Sequence, residues 1–597
     1  MSDVTSHKTL DRRALLKGAA LTAASLAAVA ARHGSALAQD DAPEAPATGP
    51  DVPAGAAEES GPTIFLDSIT NLTPQTPPEM AVIVLNRLAY GPRPGAFDYS
   101  SFRAMPGATD ADKLVAWVDW QLNPTAIPEP EFDSVLARLQ TANVIPSYPK
   151  TQTQQWVDYM NTGGADRTRP LEDVRTLTVA RAVFSRRQLY EMMVEFWHNH
   201  FTIYAWDYSY ASTTWMAYDR DVIRANALGN FRTFLEAVAK SPAMLFYMDN
   251  YLNDQGSNEN WARELFEVYG MGAENYLGSA LQQSQVPGYP TAPTGYVDAD
   301  VYEAARAFAG WRVRDGMWPY DAQVQLDNGT YYFYPDWRDR FQKTVLGQFM
   351  TADPASDAHG RQVLDLIAAH PGTARFICRK LIRRFITDTP GEALVESAAA
   401  VFIANAAAPN QIALTLRHIL LSDDFKTTWG MKFKRPFEYA MGILRSTLAA
   451  TYPEFDALYW NYDDLNQPMF AWRPPNGYPD VASAWINTNG LLTRWNFANR
   501  TMLGYIDQWV NGATVNVVEV DIIGQTPGNT IAEMVDGWVL KVLGRPLSNS
   551  AHRDELLRIL GNGAAPNTVP NKNTNEFRAR LRHTVALIYM TSEWQWR

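Results

Sequence analysis

Apolar residues recur three and four positions apart along nearly the whole chain, and that spacing commits most of it to amphipathic helices. In DVYEAARAFAGW (300–311), Val301, Ala305 and Phe308 fall on one stripe behind acidic Asp298 and Asp300, which suit a helix N-terminus. In NENWARELFEVYGMG (258–272), Trp261, Leu265 and Val268 form another stripe, and Gly270 is placed to end it. The pattern returns at 111–122, 221–240, 361–386, 392–405, 411–421, 434–450, 531–543 and 574–592. Two stretches break it. AQVQLDNGTYYF (322–333) carries Asn328-Gly329 between alternating residues, which predicts a β-hairpin, and TVNVVEVDII (514–523) alternates as a strand does. The expectation is a mainly α protein. It consists of one large helical domain over 62–597, a small β-hairpin excursion near 322–333, and insertions near 274–296 and 316–337.

The N-terminus reads LDRRALLKGAALTAASLAAVAARHGSALAQD, with Arg12-Arg13 before a short Ala-rich apolar run and an A-x-A site at Ala36-Leu37-Ala38. Residues 1–38 therefore predict a twin-arginine signal peptide, and with it a periplasmic or secreted protein that has no transmembrane span in its mature chain. Residues 39–61, Ala/Pro-rich and acidic without Lys or Arg, predict a disordered leader. Residues 1–38 hold five Lys/Arg and two Asp/Glu, so without them the net charge of −12 becomes −15, which excludes nucleic acid as a partner. With 19 Trp and 27 Tyr, there are aromatics enough for both a core and a sugar-stacking cleft. The single cysteine, Cys378, lies between apolar neighbours and reads as a buried thiol.

Chemistry concentrates between Glu191 and Trp311. On the helix ending FWHNHF, Glu191, Glu195 and His198 share a face at i, i+4, i+7 beside Gln188, while His200 shares one with Leu189, Met193 and Phe196. His198 is thus placed for carboxylate-assisted proton transfer or for a metal, and His200 for a hydrogen-bonded core role. Glu195 and His198 form an E-x-x-H unit. Di-iron bundles use that unit twice, and its single occurrence here points to one divalent metal held by His198, Glu195 and an acid from a second helix. On that second helix Asn260, Glu264 and Glu267 share a face, and Glu259 pairs with Arg263 at i, i+4. Should Glu264 meet Glu195 or His198 across packed helices, two acids in unequal surroundings become the acid and base of glycoside hydrolysis, with Arg263 orienting. The loop bearing Asp249, Asn250, Asn253 and Asn258 concentrates oxygens suited to calcium, to a hydroxyl-rich ligand, or to turn formation and helix capping by Ser257 or Asn258. Trp311 and Trp472 are the aromatic candidates for a glycan or other small polar ligand. Arg375, Arg379, Lys380, Arg383 and Arg384 crowd one helix, where they neutralise internal acids or hold an anion.

FWHNHF (196–201), RANALGNFR (224–232), MDN (248–250), NENWARELFEVYGMG (258–272), EAARAFAGW (303–311), HPGTARFICRKLIRRF (370–385) and WRPPNGYPD (472–480) occur in an order that resembles the bacterial domain of unknown function 1800 family. The likeness extends from LNRLAYGPRP (85–94) to the C-terminus and implies a mostly helical exported protein. Where it implies a His-Asp pair, this chain has Arg338-Asp339 in WRDRFQK. Three functions stand as expectations. They are a hydrolase or lyase on a hydroxyl-rich glycan using Glu264, Glu195 and His198, a metal-dependent oxidoreductase, and a non-catalytic envelope protein serving a co-exported partner.

Overall fold

Helices form where the apolar stripes lie. The computed structural model describes residues 76–160, 166–206, 210–254, 256, 258–317, 326–352 and 356–597. The expected signal peptide (1–38) and leader (39–61) fall outside them. The helices that bear on function are α1 (Met80–Arg87), α2 (Arg169–Phe184), α3 (Gln188–His200), α4 (Asn260–Glu264), α5 (Asp298–Ala307), α6 (Pro371–Phe385), α7 (Pro436–Ser446) and α8 (Asp456–Asp463). Buried residues from Ala81 to Trp594 join in one continuous apolar cluster, so the fold is mainly α around a large shared core. Among the described residues no helix is long and apolar enough to cross a membrane.

The stripe read as continuous over 361–386 is two helices. Pro371 cannot extend the preceding helix, and the His370 side chain accepts from Gly372 N to cap the one that follows. Strands are few, and all pair antiparallel: β1 (Trp311–Asp315) with β2 (Asp327–Phe333), β3 (Lys343–Val345) with β4 (Gln348–Met350), β5 (Ala450–Thr451) with β8 (Val518–Glu519), and β6 (Asp507–Val510) with β7 (Ala513–Asn516). The expected small β excursion is present as β2 paired with β1, but Asn328-Gly329 is not its turn. Asn328-Gly329 sits inside β2 and not at a turn, because Gly329, at φ +67°, lies against Trp156 where a Cβ would meet the indole at 2.5 Å. The predicted strand at 514–523 divides between β7 and β8, then bends into a short helix at Ile522–Gln525.

The α2–α3 junction organises the centre. Glu129, buried, accepts from the backbone N–H groups of Arg186 and Arg187 and so fixes the turn that leads into α3. On the α2 side of the same junction, the fully buried Arg445 of α7 donates to the carbonyls of Ala182, Val183 and Ser185, and to Gly91 O. A cation at a helix C-terminus opposes the exposed carbonyl dipoles. These contacts hold α2, α3 and α7 around a cleft.

Candidate active site

A narrow cleft, with a cavity volume of about 70 Å³, opens between α2, α3, the N-terminus of α7, the end of α8 and the chain segment 467–478. Glu191, Glu195 and His198 all line it, as their shared helix face predicts. So does Trp472, half-buried, with its indole N–H donated to Asn476 Oδ1 at 2.8 Å.

His198 is held by a partner that helical periodicity does not reveal. Its Nε2 lies 2.9 Å from Asp219 Oδ1. Asp219 belongs to a π-helical turn, Tyr218–Arg224, whose i→i+5 hydrogen bonds stack residues five apart. That register brings Arg224 Nε to 2.9 Å from Asp219 Oδ2, and Arg224 in turn grips both oxygens of Glu191 at 2.8 and 3.1 Å. Arg181 adds a 3.5 Å contact to Asp219. Burial alone would raise the Asp219 carboxyl, but Arg224, the His198 hydrogen bond and Arg181 hold it well below the usual carboxylate range. An ionised Asp219 fixes the tautomer, placing the proton of a neutral His198 on Nε2 and the lone pair on Nδ1. Among the described residues Nδ1 has no hydrogen-bond partner, and it is shut from solvent. The rings of Phe470, Trp215 and Tyr218 surround the imidazole, with centroids 5.1, 5.6 and 5.9 Å away.

The three polar residues of HNH take three separate partners. Asn199 clamps the cleft's outer segment, donating to Tyr478 O at 2.9 Å and accepting from Tyr478 N at 2.7 Å. The clamp requires Gly477, at φ +75°, where a Cβ would stand 2.1 Å from Asn199 O. His200 is the expected core histidine. It is buried, with Nε2 donating to Tyr269 O at 3.0 Å and Nδ1 accepting from Lys380 at 2.8 Å. Burial first, and then Lys380, keep its pKa well below the usual imidazole value.

Glu195 faces a different ion network from His198. Its Oε2 accepts from Arg435 at 2.5 Å and from Arg384 at 3.4 Å, and Arg384 also pairs with Glu438. The two members of the E-x-x-H unit thus orient toward separate partners, and among the described residues no group of three His, Cys, Asp or Glu is placed to hold a metal ion. On the arginine-rich helix, Arg379 pairs with Glu274 and Glu392, and Arg375 with Glu396, all exposed acids, while Arg384 meets the buried Glu438.

The remaining sequence candidates lie elsewhere. Glu264 does not line the cleft. It is half-buried beside Tyr247 and Tyr269, and burial, followed by Glu267, pushes it up to about 7. Arg263 serves Glu259, Glu267 and Asp298 at 3.3, 3.3 and 3.4 Å. Asn250 and Asn253 are buried, and they tie their loop to the end of α5 through Phe308 O and Ala305 O. Asn258 donates to Asp249 O and accepts from Asn260 N, which makes it the turn and cap residue at the start of α4. Asp249 and Asn260 are exposed, with Asp249 at φ +55°. Trp311 is fully buried against Phe308 and Lys240. Asp339 binds Arg306 and Lys343, away from the cleft. Sequence reasoning missed Asp219, and it also missed two cleft residues, Tyr90 and Gln467. The signal for Tyr90 was available in LNRLAYGPRP, a conspicuous motif that carried no assigned role.

A family model described as a protein of unknown function (DUF1800) matches residues 83–596. No curated protein and no solved structure matches the chain.

Proposed function

Because the chain belongs to the family of proteins of unknown function DUF1800, whose description assigns no activity, we propose from the cleft that it is a hydrolase or lyase acting on a hydroxyl-rich, glycan-type substrate. His198 is the general base. The observation that carries this reading is a buried, cleft-lining imidazole whose Nε2 is anchored to Asp219 while Nδ1 has no partner among the described residues.

In a hydrolysis, Nδ1 takes a proton from water as the water oxygen bonds to the substrate's electrophilic carbon. The carbon–oxygen bond to the leaving group breaks on the opposite face, the departing oxygen takes a proton from water there, and the imidazolium gives its proton back to solvent. Asp219 stabilises the imidazolium in between, and its own charge is balanced by Arg224. Glu195, one helical turn away, offers a second carboxylate to the same cleft. Relative to the pairing of Glu264 with Glu195, this assignment moves the acid–base work to His198 and Asp219. Substrate entry requires Phe470 to move, because Nδ1 is enclosed.

Replacing His198 with Ala lowers kcat/KM about a thousandfold on any glycan that the full-length protein turns over, and Asp219→Asn lowers it about a hundredfold with an unchanged far-UV spectrum. Unaltered turnover in His198→Ala sinks the assignment. We also place this work outside the cytoplasm, on the strength of Arg12-Arg13 and the A-x-A site. Substituting both arginines with lysine retains the protein in the cytoplasmic fraction, and periplasmic recovery of that variant removes the twin-arginine route.

A further inference from the structure

Five polar atoms of the residues lining the cleft have no hydrogen-bond partner among the described residues. Three are donors, Tyr90 Oη, Gln467 Nε2 and Trp215 Nε1, and two are acceptors, Glu195 Oε1 and His198 Nδ1. Tyr90 and Gln467 are fixed from behind. Gln188 Oε1 accepts from Tyr90 N at 3.0 Å, and the Tyr90 ring meets Phe437 edge-on at 5.3 Å. Phe437 N donates to Gln467 Oε1 at 3.0 Å, which settles the amide orientation and turns Nε2 free. The other phenols of the cleft have already spent their protons, Tyr462 on Gln467 O and Tyr478 on Pro468 O, both at 2.7 Å. Burial, and then the neighbouring Glu195, hold the Tyr90 phenol well above its ordinary pKa, so it remains a donor.

The charges of the lining are all matched. Arg224 is engaged by Glu191 and Asp219, and Glu195 by Arg435 and Arg384. An anionic or cationic ligand group would have to break one of these buried pairs and leave a charge uncompensated. What the cleft has to spare is neutral hydrogen bonding of both senses, between apolar walls formed by Val194, Ile203, Met469 and Phe470.

We propose that the cleft binds an uncharged pyranose unit, with Tyr90 and Gln467 donating to its oxygens and Glu195 and His198 accepting from its hydroxyls. Vicinal hydroxyls supply both senses of hydrogen bond, and the C–H face of the ring suits the apolar walls and Trp472. This rests on the cleft reading above and narrows it. A neutral sugar lacks the carboxylate that acidifies a C–H bond for elimination, so the reaction is hydrolysis and not a lyase step.

The test is direct binding to the full-length protein, by calorimetry, of neutral methyl glycosides of glucose, galactose, mannose and N-acetylglucosamine. Glucuronate, a sugar phosphate and glucosamine form the charged set, and each probe is taken to roughly 10 mM. The expected result is binding within the neutral set that weakens about tenfold in Tyr90→Phe and in Gln467→Glu, with melting temperatures of both variants close to that of the parent. Preference for a charged probe, no neutral binding, or neutral binding indifferent to both substitutions overturns the proposal. Neutral binding without turnover of any glycoside leaves this inference standing and sinks the hydrolase reading. Turnover confined to uronates, dependent on His198, does the reverse.

Discussion

Single residues here divide between those that complete a local hydrogen-bond circuit and those left with capacity to spare. Asn250, Asn253 and Asn258 look like ligand groups in the sequence because their loop is dense in side-chain oxygens and amides. In the fold those groups are consumed by Phe308 O, Ala305 O and Asp249 O. Composition reveals polar atoms but not which backbone groups will claim them. His200 and His198 were separable, because helix geometry alone puts one against apolar neighbours and the other among acids. Glu264 is the residue whose environment has a direct pH consequence. Its carboxyl rises from 4.5 to about 7 on folding, chiefly through burial. The folded state therefore binds more protons than the unfolded one between those values, and stability falls as pH rises through that window. Glu264→Gln should lose this slope. Relative to the parent, its melting temperature gains roughly 1–2 °C on going from pH 4.5 to above 7, and parallel curves for the two proteins would show that Glu264 is not so perturbed.

At the scale of elements, regular helices were legible and irregular ones were not. The face carrying Glu191, Glu195 and His198 survives intact because α3 is uninterrupted from Gln188 to His200. Asp219 escaped because the Tyr218–Arg224 turn is π-helical, and a 3.6-residue scan assigns its residues to the wrong sides. Tyr90 and Gln467 escaped for another reason. Both lie in connecting segments whose direction is set by distant partners, Gln188 and Phe437. Asn328-Gly329 was correct about a left-handed glycine and wrong about its place, which Trp156 decides. The junction of α2, α3 and α7 depends on Arg445, whose guanidinium donates to carbonyls, lies over the Phe97 ring and is pulled down to about 9 by burial. Arg445→Met leaves Gly91 O and Val183 O without their side-chain donor, while Gln188 still serves Ala182 O and Ser185 O, and should cost about 3 kcal/mol in denaturant unfolding. A change below about 1 kcal/mol would mean that water or a shifted side chain replaces it readily.

Across the whole molecule, two ion networks back one cleft. Arg224 with Glu191 and Asp219 lies behind His198, and Arg435 with Arg384 lies behind Glu195. The chain segment from Gln467 to Tyr478 closes over both. It is pinned by Ala205 N to Phe470 O at 3.0 Å, by Trp206 Nε1 to Met469 O at 2.8 Å, and by the Asn199 clamp on Tyr478. Phe470 itself is held at φ +59°, a conformation costly for an aromatic residue, with its ring against His198. Such strain is retained where surrounding contacts enforce it, and it fits a residue that must yield when the cleft fills. The claim on which the rest depends is that His198 keeps an available base nitrogen beneath this segment. Carbethoxylation by diethyl pyrocarbonate, which requires an imidazole lone pair, mapped by mass spectrometry, tests it without any substrate. The account predicts modification at His198, at least about tenfold faster in Phe470→Ala, while His200, both of whose nitrogens are engaged, stays unmodified. A His198 as inert as His200 in both proteins would contradict it.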